Sequence, residues 1–259
     1  MSDYALPLSG KVAVVTGSSR SIGEAIAMEL ANRGATVVIT YVSAKSETRV
    51  KEICARMEAL PHKPSAHFIQ ADLSTLSAPE QVTSSLLEWR GKDLSIDIVV
   101  NNAGVTRVKG LQEITVDDYN AVFNLNVRGV ILLTQALLPY LNKNGRIINI
   151  GSVGGRSAFK DVSLYCASKA ALEGLTRSWA AELGGNGTTV NCVSPGPVAS
   201  ELLDTIPKDI VERQKATTPL GNRLGTAEEI ANVVASLAGR DGAWITGQVI
   251  SVSGGWAVY

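Results

Sequence analysis

Short runs of aliphatic and β-branched residues recur along the chain at 11–16, 36–41, 66–70, 96–100, 146–150, 188–193 and 248–252. Between them lie longer stretches in which apolar residues return every three or four positions, at about 22–33, 46–60, 79–90, 116–141, 163–183 and 227–238. The short runs have the length and side chains of strands, and the longer ones have the period of helices. Several of the short runs are apolar almost throughout rather than alternating, as in strands covered on both faces, and a strand–helix alternation builds a parallel sheet. The predicted fold is α/β: one domain over residues 1–259, with a doubly wound, seven-stranded parallel sheet and helices on both faces. Ligands of such sheets bind beyond the carboxyl ends of the strands, so the residues that end each run matter most.

Composition narrows the partners. With 24 basic and 24 acidic side chains the formal net charge is zero, which gives no electrostatic footprint for nucleic acid or an anionic membrane. Cys54, Cys166 and Cys192 are scattered, odd in number and without CxxC spacing, which argues against a disulfide framework or a zinc site; no metal is expected. The first ten residues show no basic segment followed by an apolar run, and the greasiest stretch, 130–141, contains Thr134, Gln135 and Pro139 and is short for a membrane span. A cytoplasmic protein with a small-molecule substrate, and neither nucleic-acid nor membrane partner, is the expectation.

The strand ends carry the candidate chemistry. The first runs into Thr16-Gly17-Ser18-Ser19-Arg20-Ser21-Ile22-Gly23 and then a helix. Such a glycine-bearing turn lets backbone N–H groups and the positive helix end approach a pyrophosphate. The spacing is TGxxxGxG with Ser21 in place of the middle glycine, and the strand–turn–helix context favours nucleotide binding over a plain polar turn. After the second strand, an NAD site usually places a carboxylate on the ribose. Here none occurs between Glu29 and Glu47, while Arg20, Ser43 and Lys45 are available for a 2′-phosphate, which points to NADP(H). Asp72, after the third strand, reads either as a helix N-cap or as an acceptor for an adenine amino group. Asn101-Asn102-Ala103-Gly104, after the fourth, reads as a turn that borders the nucleotide. Tyr165 and Lys169 stand at i, i+4 on one helix face, with Ser152 thirteen residues upstream of Tyr165. An ammonium beside a phenol is expected to lower its pKa from about 10.

Taken in order, TGSSRSIG at 16–23, NNAG at 101–104, Asn126 in Phe-Asn-Leu-Asn-Val-Arg-Gly, Ser152, Tyr165 with Lys169, and Pro195-Gly196 resemble the short-chain dehydrogenase/reductase family over practically the whole chain. Gly151-Ser152, Asn126-Val127-Arg128-Gly129 and residues 242–247 look most like NADPH-dependent ketoreductases of the polyhydroxynaphthalene-reductase and β-ketoacyl-reductase kind. The resemblance implies a Rossmann fold and a hydride transfer between NADP(H) and a carbonyl. Tyr165 would be general acid in reduction or base in oxidation, and Lys169 would lower its pKa and hold the nicotinamide ribose. Ser152 would hold the substrate oxygen, and Asn126, at an interruption of its helix, would hold a water leading to Lys169. The expected cofactor set is Gly17, Ser19, Arg20, Ile22, Tyr41, Ser43, Asp72, Leu73, Asn102, Ala103, Gly104, Tyr165, Lys169, Pro195, Gly196, Val198 and Ser200.

The cofactor-binding part would occupy about 8–193, and a lid rather poor in regular pattern about 196–220. Substrate contacts are expected from Ser152, Val153, Gly154, Phe159 and Leu202, the last and Phe159 reading equally as core, with Arg156 read as a solvated charge. A small, neutral, cyclic or aromatic ketone fits that apolar lining. Working as an NADP-dependent alcohol dehydrogenase, or as a non-catalytic nucleotide-binding regulator, are the alternatives. The apolar excess of 116–141, 163–183 and 256–259 suggests a homotetramer, since the family builds a four-helix interface from the two helices.

Overall fold

The computed structural model describes residues 6–199 and 208–259. Its strands are β1 (Val12–Val15), β2 (Thr36–Tyr41), β3 (Ala66–Gln70), β4 (Ile96–Asn101), β5 (Leu141–Ile150), β6 (Thr189–Pro195) and β7 (Val249–Val252). Its helices are α1 (Ser21–Asn32), α2 (Glu47–Glu58), α3 (Ala78–Arg90), α4 (Val116–Phe123), α5 (Val130–Leu137), α6 (Ser163–Leu183), α7 (Lys208–Ala216) and α8 (Ala227–Ala238). All seven strands pair in parallel in one sheet, in the order β3-β2-β1-β4-β5-β6-β7. The chain winds outward in one direction from β1 and in the other from β4, so the crevice for a ligand opens at the carboxyl ends of that adjacent pair.

Alternation along each strand separates two cores. Ala13 and Val15 of β1 belong with Ile26 and Leu30 of α1, Ile53 and Met57 of α2, and Ile230 and Val234 of α8. Val14, between them, belongs with Val82 and Leu86 of α3, Leu133 and Leu137 of α5, and Ala180 of α6. Burying each Leu or Ile contributes roughly 1.5–3 kcal/mol, more than the few tenths that separate ordinary residues in helix propensity, so packing on the sheet decides where these helices lie.

Three departures from the sequence reading have local causes. The stretch expected as one helix over 116–141 is α4, a π-helical turn at Asn124–Gly129, α5 and a 3-10 turn at Leu138–Tyr140 that carries Pro139. A Cβ on Gly129 would collide with the carbonyl of Leu73, and Arg128 donates to the carbonyl of Ser74, so the turn is pressed onto the loop after β3. By length and composition the run Val116–Tyr140 would suffice to cross a membrane. Here Val122, Asn126, Leu133 and Leu137 are buried along it. Second, β5 begins at Leu141 rather than 146: the polar Asn142 donates to Ser95 and Asp97, anchoring a register shift opposite Ile96 and Ile98. Third, the expected irregular lid contains α7, a regular helix with no buried side chain; residues 200–207 of that segment lie outside the described residues.

On the edge strand β3, the His67 ring stacks on Trp89 at 4.8 Å and 4°. Its Nε2 is buried with no hydrogen-bond partner among the described residues, and burial lowers its pKa below 6.5. The folded state therefore holds His67 neutral while the unfolded chain takes a proton more readily, so its contribution is complete above the unfolded pKa and lost as pH falls below it. His67→Phe is expected to lose less stability than wild type between pH 7.5 and 5.5, read from urea midpoints; parallel losses would refute this.

Candidate active site

The crevice is closed at its base by a reciprocal stitch between the ends of β1 and β4. The Thr16 hydroxyl accepts the N–H groups of Asn102 (2.9 Å) and Ala103 (3.0 Å), and the Asn102 side chain donates to the carbonyls of Thr16 (2.9 Å) and Gly17 (3.0 Å). Gly17, at φ +61°, lies so near Ala103 that a Cβ would come within 2.8 Å of its Cα. A Cβ on Gly23 would come within 2.5 Å of Asn102 Nδ2. The turn, the ledge at 102–104 and the start of α1 thus form a cradle packed so closely at Gly17 and Gly23 that neither position admits a side chain. The first-turn N–H groups of a helix have no intrahelical acceptor, and the Arg20 side chain makes no capping bond to them. Ser19 and Ile22 flank this turn. These features fit the phosphates of a dinucleotide. Asn102 was expected as a direct contact; its side-chain nitrogen is instead spent on the turn, so it shapes the cradle.

Further out, Tyr41 ends β2 and is buried, and the Ser43 hydroxyl accepts the Lys45 N–H at 3.3 Å, starting a short 3-10 turn. Asp72 is not a helix N-cap: Ser77 holds that place for α3, and Asp72 Oδ1 takes the N–H and hydroxyl of Ser74 at 3.0 and 2.7 Å. Its neighbour Leu73 is buried, its carbonyl against Gly129. On the other side, Pro195 ends β6, Gly196 donates to Val252 at 3.0 Å with Ser253 where its Cβ would be, and Val198 is buried and bridged to Gly225. Ser200 and Leu202 lie outside the described residues.

Ser152 follows β5 with an extended backbone, its hydroxyl accepting the Gly154 N–H at 3.0 Å. Its influence on Tyr165 of α6 opposes the upward push of burial on the phenol without reversing it. Lys169, one turn on, is buried; Nζ donates to the Ile150 carbonyl at 2.7 Å and lies 5.7 Å from the Tyr165 ring centroid. Burial lowers its pKa to about 8. The expected lowering of the Tyr165 pKa by Lys169 is therefore not what this geometry does: loss of solvent outweighs a cation that faces a carbonyl, and the phenol stays protonated at neutral pH.

Asn126, fully buried in the π-helical turn, accepts the Val105 N–H (2.9 Å) and donates to the Val105 carbonyl (2.8 Å) and the Ser168 hydroxyl (3.0 Å). Ser168 in turn donates to the Tyr165 carbonyl at 2.7 Å. A Cβ on Gly104 would lie 3.3 Å from Asn126 Oδ1 and 3.4 Å from Lys169 Nζ, so the absence of a side chain lets the ledge approach both groups.

Val153 and Gly154 are buried; Ser152 Oγ, Cys166 Sγ and the Phe159 ring edge lie 3.3, 3.4 and 3.6 Å from where a Gly154 Cβ would be. Arg156 is exposed, as expected of a solvated charge, but not unpaired. It pairs with buried Glu173 of α6 at 2.7 Å. Thr16, Ser168 and Glu173 went unnoticed in the sequence because hydroxyls and a lone helix carboxylate carry no motif of their own. Among the described residues, no three His, Cys, Asp or Glu side chains cluster as a metal site.

A family profile described as enoyl-(acyl carrier protein) reductase matches residues 17–257. The chain belongs to the short-chain dehydrogenase/reductase family. It is 39% identical to the short-chain dehydrogenase/reductase FrzI of a Cladobotryum species, over 96% of each chain. It is 37% identical to hydroxynaphthalene reductase arp2 of Aspergillus fumigatus, over 95% of this chain and 92% of that one. Among solved structures, a blue fluorescent protein from a metagenomic library, crystallised in complex with NADPH, superposes with a TM-score of 0.88 at 40% identity, covering 97% of this chain and all (100%) of that one. This short-chain dehydrogenase/reductase is an oxidoreductase acting on CH–OH and C=O groups, on a Rossmann fold.

Its nucleotide turn departs from the family spacing at Ser21, and the backbone there keeps the left-handed conformation of the missing glycine, φ +53°. A non-glycine residue in that region costs about 1–2 kcal/mol. Ser21→Gly is expected to stabilise the protein by roughly 1 kcal/mol or less, part of the relief being offset by chain entropy, and Ser21→Val to destabilise it. Urea midpoints ranking Val above Gly would contradict the strain.

Proposed function

We propose that this chain is an NADPH-dependent ketoreductase that delivers hydride to the carbonyl carbon of a small, neutral, cyclic or aromatic ketone. One arrangement carries the reading: the Ser152 hydroxyl and the Tyr165 phenol interact at the crevice, with Lys169 buried one helical turn away. The NADPH complex of the structural relative and the name of the hydroxynaphthalene reductase support the cofactor and the substrate class. The absence of a carboxylate after β2 supports the preference for the 2′-phosphate.

Bound NADPH supplies the hydride. As it reaches carbon, negative charge grows on the carbonyl oxygen, where the Ser152 hydroxyl donates a hydrogen bond and Tyr165 Oη transfers its proton. The upward push of burial on the Tyr165 pKa holds the phenol in its proton-donating form. Lys169 holds the ribose hydroxyls, and a water held near Asn126 supplies it with the replacement proton. The side-chain nitrogen of Asn126 is spent on Val105 and Ser168 and its oxygen already accepts the Val105 N–H, so Asn126 positions that water and carries no proton itself. Arg20, Ser43 and Lys45 meet the 2′-phosphate. Exposed Val116, Tyr119 and Trp244 support assembly as a homotetramer.

Tyr165→Phe is expected to lower turnover about 10²–10⁴-fold while NADPH binding, followed by fluorescence, stays within a factor of about three; unchanged turnover would sink the assignment. Arg20→Ala removes a charge-assisted contact of roughly 1.5–3 kcal/mol. It is expected to weaken NADPH about 10- to 100-fold and leave NADH nearly unaltered, and equal losses for both nucleotides would exclude the 2′-phosphate role.

A further inference from the structure

The segment after β7 folds back onto the loop that carries Ser152. Its path is built by the two glycines at φ +61° and +84°, Gly254 and Gly255. Gly254 accepts the Leu220 N–H at 2.9 Å, and Ser251 and Ser253 hydroxyls reach the Ala257 carbonyl at 3.1 and 3.3 Å. Held this way, Trp256 stacks on Phe159 with ring centres 5.4 Å apart and planes within 6°. Its indole N–H donates to Thr217 Oγ1, just past α7, at 3.1 Å. The Arg156 guanidinium, already paired with Glu173, lies 4.6 Å from the Tyr259 ring centre. Ser152, Gly154, Phe159, Trp256 and Thr217 are thus neighbours in a row, bringing together segments that are far apart in the sequence.

On the ketoreductase reading, the Phe159 edge beside Gly154 faces the place where a substrate carbonyl meets Ser152. One face of Phe159 is covered by the indole, and the indole is tethered from behind. We infer that Trp256 is a specificity-determining residue: with Phe159 it forms the far wall of the substrate pocket and sets how bulky a ring ketone fits beyond the carbonyl. A phenyl ring at 256 keeps the wall but not the tether. Alanine removes both, and Thr217→Val removes the tether alone.

The test uses the full-length enzyme, NADPH oxidation, and a series of ring ketones from cyclohexanone to 2-tetralone. For wild type, Trp256→Ala, Trp256→Phe and Thr217→Val, kcat, KM and NADPH affinity are measured. Trp256→Ala is expected to raise KM for the smaller ketone about tenfold with kcat within about threefold, and to shift the kcat/KM ratio of 2-tetralone to cyclohexanone upward about tenfold or more. Trp256→Phe and Thr217→Val, which both keep a ring on Phe159 and lose the tether, are expected to fall between wild type and Trp256→Ala, and NADPH affinity to stay unaltered in all. An active wild type whose variants keep its ratio overturns the inference alone. So does a uniform loss for both ketones together with weaker NADPH binding, which marks a structural role. Should Trp256→Ala not fold, the ratios of the other two variants decide. A wild type that reduces no ketone of the series overturns the ketoreductase reading, and this wall with it.

Discussion

The carboxamide of Asn126 is the joint at which three segments meet: the loop after β4, the π-helical turn, and α6. It pairs with Val105 in both directions, as a neighbouring strand would, and reaches α6 through Ser168, which is itself bonded to the Tyr165 carbonyl. A buried amide left without partners costs several kcal/mol, so satisfying this one constrains all three segments at once. The turn that presents it breaks the regular helical hydrogen-bond pattern, as π-bulges at functional sites often do. It is held open by close packing of Gly129 on Leu73 and by the bond from Arg128 to Ser74. Gly104 then passes close to both Asn126 Oδ1 and Lys169 Nζ, and the distance between the nucleotide ledge and the reactive pair follows from that contact.

Burial acts on the reactive pair in one direction only: toward neutrality. It raises the Tyr165 pKa and lowers that of Lys169 to about 8. Neither shift depends on the other group, since Lys169 is aimed at the Ile150 carbonyl. A phenol held protonated and an amine held near its own midpoint make a donor backed by a group able to take up and release protons at physiological pH. The wall on the far side of Ser152 has the same character, because its one cation, Arg156, is spent on Glu173. Among the described residues, the one cation beside Phe159 is thus already paired.

Sequence reasoning recovered what is encoded in period and in short spacings. Strand and helix positions follow from apolar runs because both cores draw on strictly alternating residues such as Ala13, Val14 and Val15. Tyr165, Lys169 and the turn at 16–23 were visible because their chemistry needs fixed offsets along one element. The start of β5 was not, since Asn142 and Lys143 are polar and the pairing there rests on side-chain bonds to Ser95 and Asp97. The π-helical turn leaves no apolar signature either; it is a hydrogen-bond pattern imposed by contact with the loop after β3. Pairings across long separations were also beyond reach. Arg156 looks solvated until Glu173 is brought beside it, and nothing along the chain pairs Trp256, read there only as part of an apolar end suited to an oligomer, with Phe159.

The nucleotide end shows how a missing charge and a neutralised one work together. Lack of a carboxylate after β2 removes the group that would repel a 2′-phosphate, but α1 carries Glu24 in its first turn, close to where phosphates would meet the helix end. That carboxylate is bonded to Arg49 at 3.0 Å and Arg56 at 2.8 Å, both from α2, and Glu47 at the start of α2 is paired with Lys51 at 2.7 Å. At partly exposed sites such pairs add little stability. Their effect here is on the field: both acids nearest the crevice are offset by cations of the same helix, so the positive end of α1 is not cancelled by its own first turn. In this way α2, through Arg49 and Arg56, shapes the field at the end of α1 without itself touching a ligand.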